Sequence, residues 1–209
     1  MRPRLLDLYC GAGGAAMGYA RAGFDVVGVD RDPQPRYPFT MVRADALAFL
    51  DADGWVGFDA VHASPPCQAY SIMGNLPWVR DIEYWDAALI PATRDRLEVL
   101  PMPYLIENVR GAPLDGIYLC GAMFGLRFPD GRPLYRHRVF ESSFFTLAPG
   151  HPKHYEAVLP GRMLGRRQTR MSEAEAMGID WMTKAELGQA IPPAYTEWLG
   201  ARLLAHLEA

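Results

Sequence analysis

A short apolar run, Leu5-Leu6-Asp7-Leu8-Tyr9, opens without a break into Cys10-Gly11-Ala12-Gly13-Gly14, and a small-residue stretch follows. A strand that turns at once through glycines into a helix is the first unit of a βαβ layout, which commits the chain to parallel strands with crossover connections. Apolar runs at Asp25 to Asp30, Phe39 to Val42, Asp59 to Ala63 and Tyr104 to Glu107 continue the alternation. Gly13 to Ala22 reads as a helix stopped by Gly23. Ile82 to Val99 carries apolar residues at helical spacing before Pro101-Met102-Pro103. Further on, Gly116 to Phe124 and Arg138 to Phe145 read as strands, and Glu173 to Gly178 and Ala194 to Leu207 as helices. Residues 148–164 are rich in Pro, Gly and His and read as irregular. With 209 residues, half of them apolar, the chain can bury one substantial core.

In open α/β sheets, ligands bind outside the carboxyl ends of the strands, so the residues there carry the functional reading. Gly11 and Gly13 let backbone approach a ligand closely, and the following helix N-terminus favours electronegative groups. Asp30 closes the second strand about twenty residues beyond the loop, where an acid can accept from two ribose hydroxyls. Asp45 follows the third strand and can accept from an exocyclic amine such as that of adenine. Taken singly, each acid reads as a turn or cap residue; at successive strand ends they describe a site for an adenosine. The glycine loop alone favours neither a pyrophosphate nor a sulfonium.

The fourth strand ends in Ser64-Pro65-Pro66-Cys67-Gln68. Two prolines stop the ladder and hold a thiol on stiff backbone at the sheet rim. Glu107-Asn108-Val109 ends the fifth strand, and Arg136-His137-Arg138 follows. A thiol, a carboxyl and two arginines around one cleft suit nucleophilic addition to carbon 6 of a pyrimidine. Glu107 would serve ring nitrogen 3, while Arg136 and Arg138 would hold carbonyl oxygen 2 and orient the carboxylate.

In this order, Asp7-Leu8-Tyr9-Cys10-Gly11-Ala12-Gly13-Gly14, Pro65-Pro66-Cys67-Gln68, Glu107-Asn108-Val109 and Arg136-x-Arg138 resemble the DNA (cytosine-5) methyltransferase family. The resemblance covers residues 1–145 and resumes near Gly188-Gln189-Ala190-Ile191-Pro192-Pro193. It implies a Rossmann-like, S-adenosylmethionine-dependent methyltransferase fold, with a mostly parallel seven-stranded sheet and helices on both faces. It also implies a catalytic set of Cys67, Glu107, Arg136 and Arg138. For the methyl donor, S-adenosylmethionine, it implies Tyr9 (in place of a usual Phe), Gly11, Gly13, Asp30, Asp45, Pro66 and Gln189. Two departures stand out: Gly188 is followed by Gln189 where the family has Asn, and the interval that usually holds a target-recognition domain is short. The expected organisation is a cofactor and catalytic domain over 1–145, a minimal basic recognition segment over 146–170, and a C-terminal helical segment over 171–209. The loop from Ser71 to Asp81 offers Met73, Leu76, Trp78 and Arg80 as wedge or phosphate contacts to an extruded base.

Between Arg127 and Arg170 lie nine Lys or Arg and three acids, on a chain whose net charge is −3. Such a segment can supply phosphate contacts to DNA, the expected partner as a duplex with its target base flipped out, or it can be a solvated face. A free deoxycytidine nucleotide is the alternative substrate, and an inactive DNA- or partner-binding relative the alternative role. A monomer is the expected state. Three scattered cysteines give neither a disulfide framework nor a Cys-x-x-Cys pair. No secretory or membrane-spanning run is evident, so a cytoplasmic protein is expected. Cys10 and Cys120 read as packing residues. His151 and His154 flank Lys153, but the sequence identifies no set of acidic or thiol partners for a metal there, so no metal is expected.

Overall fold

The computed structural model describes residues 1–67, 70, 89–154 and 170–209. The strands are β1 (Arg4–Leu8), β2 (Asp25–Asp30), β3 (Thr40–Arg43), β4 (Ala60–Ala63), β5 (Tyr104–Val109), β6 (Ile117–Leu119) and β7 (Arg138–Ser142). The helices are α1 (Gly14–Ala22), α2 (Ala46–Asp51), α3 (Leu89–Leu97), α4 (Arg170–Met177), α5 (Lys184–Gln189) and α6 (Pro193–Leu207). One seven-stranded sheet runs β3-β2-β1-β4-β5-β7-β6. The first five strands are parallel and β7 is antiparallel to both neighbours. This is the Rossmann-like, mostly parallel seven-stranded sheet expected from the motifs.

Period-2 alternation in doubly buried strands divides the core into two layers. Leu5 and Leu105 face one way, into a cluster with Tyr19, Phe24, Phe140, Tyr195, Leu199 and Leu203. Leu6, Leu8 and Ile106 face the other, with Leu50, Val61, Ile90 and Leu97. Thus α1 and α6 cover one face, and α2 and α3 the other. The α1–α6 approach depends on Gly18, where a Cβ would overlap Thr196 and the Pro193 carbonyl. Thr196 Oγ1 donates to the Ala15 carbonyl at 2.8 Å, which fixes the contact. A satellite cluster of Phe128, Leu134, Met177, Ile179, Met182 and Leu187 joins α4 and α5 to the segment before β7.

One expected strand differs, and two short helices, α2 and α5, are additional to the expected elements. The run Gly116 to Phe124 is not one strand: β6 ends at Leu119, and Gly121–Phe124 forms a 3₁₀ turn. A Cβ at Gly121 would meet the Leu134 carbonyl, so the backbone leaves the ladder there. The helix α5 was not anticipated; its start is a capping box in which Thr183 and Glu186 satisfy each other's backbone amides. Of Ile82 to Val99, only Leu89–Leu97 falls within the described residues as helix. The Ser71–Asp81 loop lies outside them.

Candidate active site

Five parallel strands send their carboxyl ends to one sheet edge, and chain order reverses between β1 and β4. That reversal opens a crevice with the β1–β3 ends on one side and the β4–β5 ends on the other.

On the first side, Tyr9 adopts φ 56° and Gly11 φ 49°, so the chain leaves β1 through left-handed backbone. Such a conformation is uncommon for a tyrosine, and its hydroxyl is tied to Thr93 Oγ1 at 2.9 Å. Gly11 N donates to Asp30 Oδ2 and Asp32 N to Asp30 Oδ1, both at 2.9 Å. The Asp30 carboxylate therefore fastens the glycine loop to the end of β2 while staying partly exposed. A Cβ placed at Gly11 meets nothing within 4 Å, which leaves open space beside that carboxylate. Asp45 caps α2, its Oδ1 accepting from Ala48 N at 2.9 Å, and it is exposed.

The C-terminal segment closes on the same loop. Trp181 Nε1 donates to the Ala12 carbonyl at 2.8 Å, and a Cβ at Gly14 would strike Ile191 backbone. Gln189 itself is exposed as the last residue of α5, while Ala190 and Ile191 make the buried contacts.

On the second side, Pro65 is buried, and Pro66 and Cys67 are partly exposed. Asn108, 1% exposed, donates Nδ2 to the Pro65 carbonyl at 2.8 Å and accepts from Val109 N at 2.9 Å. Its amide pins the turn carrying Cys67 to the end of β5. In the sequence, Asn108 is marked only by its place between Glu107 and Val109.

Glu107 is 5% exposed, and burial pushes its carboxyl above the usual range against the opposing pull of Arg138, Ser64 and Arg136. Arg138 Nε lies 2.9 Å from Glu107 Oε1. That pair is close enough for charge attraction, yet Oε1 has no aligned hydrogen bond among the described residues. A buried acceptor in that condition is costly unless a ligand completes it. Behind Glu107 runs a polar chain. Ser64 hydrogen-bonds the carboxyl, Ser64 Oγ is 2.8 Å from His62 Nε2, and His62 Nδ1 is 3.0 Å from Tyr19 Oη. Burial drives His62 down to about 3, so the ring is neutral. One assignment satisfies every member: Tyr19 donates to Nδ1, Nε2–H to Ser64, and Ser64 to Glu107.

Arg136 makes contacts that its sequence neighbours do not foretell. Its guanidinium donates to three carbonyls, those of Ala190 (2.8 Å), Leu187 (3.1 Å) and Gly188 (2.6 Å). It caps the C-terminus of α5 while its charge still reaches Arg138 and Glu107. Desolvation, then the neighbouring Arg138 charge, lowers it to about 10. The basic segment is likewise no uniform face. Arg138 points at Glu107, and Arg132 pairs with Asp130 at 2.7 Å. Residues 155–169, with Arg162, Arg166 and Arg167, lie outside the described residues.

No family model matches the sequence. Over 125 residues the chain is 30% identical to the type II methyltransferase M.AgeI of Thalassovita gelatinovora, covering 52% of this chain and 28% of that one. Over 126 residues it is 31% identical to the type II methyltransferase M.XorII of Xanthomonas oryzae pv. oryzae, covering 53% and 29%. The chain is thus similar to type II methyltransferases over about half its length. It spans less than a third of the length of either protein. Among solved structures, the S. pombe Dnmt2 methyltransferase is similar at TM-score 0.49 and 18% identity, over 68% of this chain and 49% of that one. The fold assignment rests on the strand order itself. No described helix is long and apolar enough to cross a membrane.

Proposed function

We propose that this protein transfers a methyl group from S-adenosylmethionine to carbon 5 of cytosine in DNA, through a transient Cys67 adduct at carbon 6. The observation that carries this reading is the condition of Glu107. It is buried, inclined to keep its proton, backed by a directed hydrogen-bond chain, and left with an incompletely bonded oxygen at the edge where Cys67 sits.

The donor would lie against the Tyr9–Gly13 loop, with Asp30 beside the ribose, Asp45 toward the adenine, and Pro66 on the side facing Cys67. The open space at Gly11 fits such a guest. When bound, the donor supplies an electrophilic methyl on a sulfonium. The Cys67 thiolate adds to carbon 6, and Glu107 donates a hydrogen bond or proton to nitrogen 3, which spreads the ring's developing charge. Arg138 holds Glu107 and faces carbonyl oxygen 2. Carbon 5 would then take the methyl, the donor's sulfonium carbon–sulfur bond breaking to leave a neutral thioether, and loss of the carbon 5 proton to solvent water would expel the thiolate as the carbon 6–sulfur bond breaks. Arg136 serves as a positioning residue that keeps residues 187–190 against the glycine loop. Reaching a base in a duplex requires its extrusion, at a cost of a few kcal/mol.

Duplex oligonucleotides containing 5-fluorocytosine test this, because fluorine cannot leave from carbon 5 as a proton does. A donor-dependent covalent adduct that peptide mapping assigns to Cys67, and that vanishes in Cys67→Ala, is expected. Methylation of normal DNA with an adduct elsewhere, or retained by Cys67→Ala, would overturn the nucleophile. A parallel assay on deoxycytidine monophosphate should show no turnover; the reverse preference would move the substrate to the free nucleotide.

A further inference from the structure

Cys120 follows β6 and is fully buried. His137 stands between Arg136 and Arg138, and His151 and His154 lie on the return that follows β7. Because β6 pairs with β7 so that Leu119 opposes Arg138, Cys120 and His137 meet at one end of the sheet. The return then brings the other two histidines over them. One ligand-capable atom from each of these four residues lies within 4.8 Å of all the others.

Two edges of this cluster are fixed by distance: Cys120 Sγ to His154 Nε2 is 3.5 Å, and His137 Nε2 to His151 Nε2 is 3.2 Å. Bonds of about 2.3 Å to sulfur and about 2.0 Å to nitrogen around a tetrahedral ion require S–N edges of roughly 3.5 Å and N–N edges of roughly 3.3 Å. Both observed edges match. We propose that Cys120, His137, His151 and His154 hold a zinc ion in a closed four-ligand site that fastens the segment after β7 to the end of β6.

The donor set selects the metal. One thiolate with three imidazoles in tetrahedral array suits zinc, and four protein ligands leave no open position for catalysis, so the role is structural. The surroundings agree. Met123 N donates to Cys120 Sγ, the kind of outer hydrogen bond that orients a metal-bound thiolate. Tyr135 stacks on His154 with ring centroids 4.0 Å apart, which sets that imidazole's plane. His154 Nδ1 is buried with no hydrogen-bond partner among the described residues. The zinc-facing atom of this ring is Nε2, which lies against Cys120 Sγ. A cavity of about 240 Å³, lined in part by Gly125, Tyr135, Lys153 and His154, gives an entry path.

The site would also brace the reaction half. His137 ligation immobilises the backbone between Arg136, which caps α5, and Arg138, which pairs with Glu107. The proposal does not depend on which cytosine-bearing substrate is methylated.

Tag-free protein, purified without chelator and gel-filtered, should retain about one zinc per chain by elemental analysis. X-ray absorption should show one sulfur at about 2.3 Å and three nitrogens at about 2.0 Å. His151→Ala, at an exposed position, should lower zinc affinity tenfold or more with the far-ultraviolet circular dichroism intact, as should His154→Ala. Cys120→Ser should abolish the thiolate-to-metal charge-transfer band of the cobalt-substituted chain, whereas Cys67→Ser should keep it. Zinc lost on gel filtration, wild-type affinity in His151→Ala and His154→Ala, or a cobalt band that follows Cys67 would each overturn the site.

Discussion

The ends of β1–β3 on one side, and the ends of β4 and β5 with the start of β7 on the other, share one sheet edge but are finished in opposite ways. On the reaction side, Glu107, Asn108 and His62 are buried and joined through Ser64, Arg138 and backbone carbonyls. On the cofactor side, Asp30 and Asp45 keep part or all of their exposure and spend their oxygens on backbone amides. A group that must stabilise charge as it develops gains from fixed neighbours and a low dielectric, because neither then reorganises during reaction. A group that binds and releases a small molecule each turnover needs access. The contrast predicts that reaction-side changes act on kcat and cofactor-side changes on affinity.

Glu107→Gln should produce the largest effect. It keeps the shape and a hydrogen-bonding end but cannot supply a proton, so kcat should fall by roughly 10²–10⁴, the usual share of acid–base catalysis. Calorimetric affinity for S-adenosylmethionine should stay unchanged. A matched loss of donor affinity would break the comparison, because it would make the two sides one network.

Asp30→Ala should act the other way. Removing the carboxylate frees Gly11 N and Asp32 N and takes away the expected ribose acceptor. Donor affinity should weaken about tenfold, near 1.4 kcal/mol, with kcat at saturating donor within about twofold of the parent. Asp30→Asn retains an acceptor and should recover part of the affinity. A collapse of kcat in Asp30→Ala at saturation would show that the ribose acid also sets the reaction geometry.

Much of this contrast was legible beforehand, for a physical reason. Parallel strands buried on both faces read as plain apolar runs, and their ends are marked by residues that cannot continue a ladder, such as Pro65-Pro66 and Gly11. The strands β1, β2, β4 and β5 and the residues at their ends could therefore be placed. What escaped depends on tertiary partners. Nothing local shows that Arg136 will find the carbonyls of Leu187, Gly188 and Ala190 far along the chain. His151 and His154 found a thiol only because β6 and β7 pair and bring Cys120 to them. The 3₁₀ turn after β6 was hidden because a short apolar run does not declare its own period. The helix α5 does carry a local sign, the capping-box pattern Thr183-x-x-Glu186.

Asp7 sits at the seam between the two sides, paired in register with Gly28 of β2 and His62 of β4. It is 1% exposed, accepts from Tyr37 at 3.3 Å, and its Oδ1 has no partner among the described residues. Burial, opposed by the Tyr37 hydrogen bond and aided by the Asp30 charge, raises it from 3.8 to about 8. Between those values the folded chain keeps a proton that the unfolded chain releases, so stability falls as pH rises. His62 works in the opposite sense. Lowered from 6.5 to about 3, it refuses a proton that the unfolded chain takes up, so its contribution rises with pH over that range. From 3.8 to 6.5 the two slopes oppose each other, and above 6.5 the Asp7 slope stands without that opposition. Urea unfolding should therefore show stability declining from pH 6.5 to about 8, by up to about 1.4 kcal/mol per pH unit. Asp7→Asn, which preserves an acceptor for Tyr37, should flatten that decline and be more stable than the parent at pH 8, with the smallest effect on activity of the three variants. If Asp7→Asn keeps the parent's decline, the buried carboxyl is ionised in the folded chain, and the seam is held by charge instead of by a retained proton.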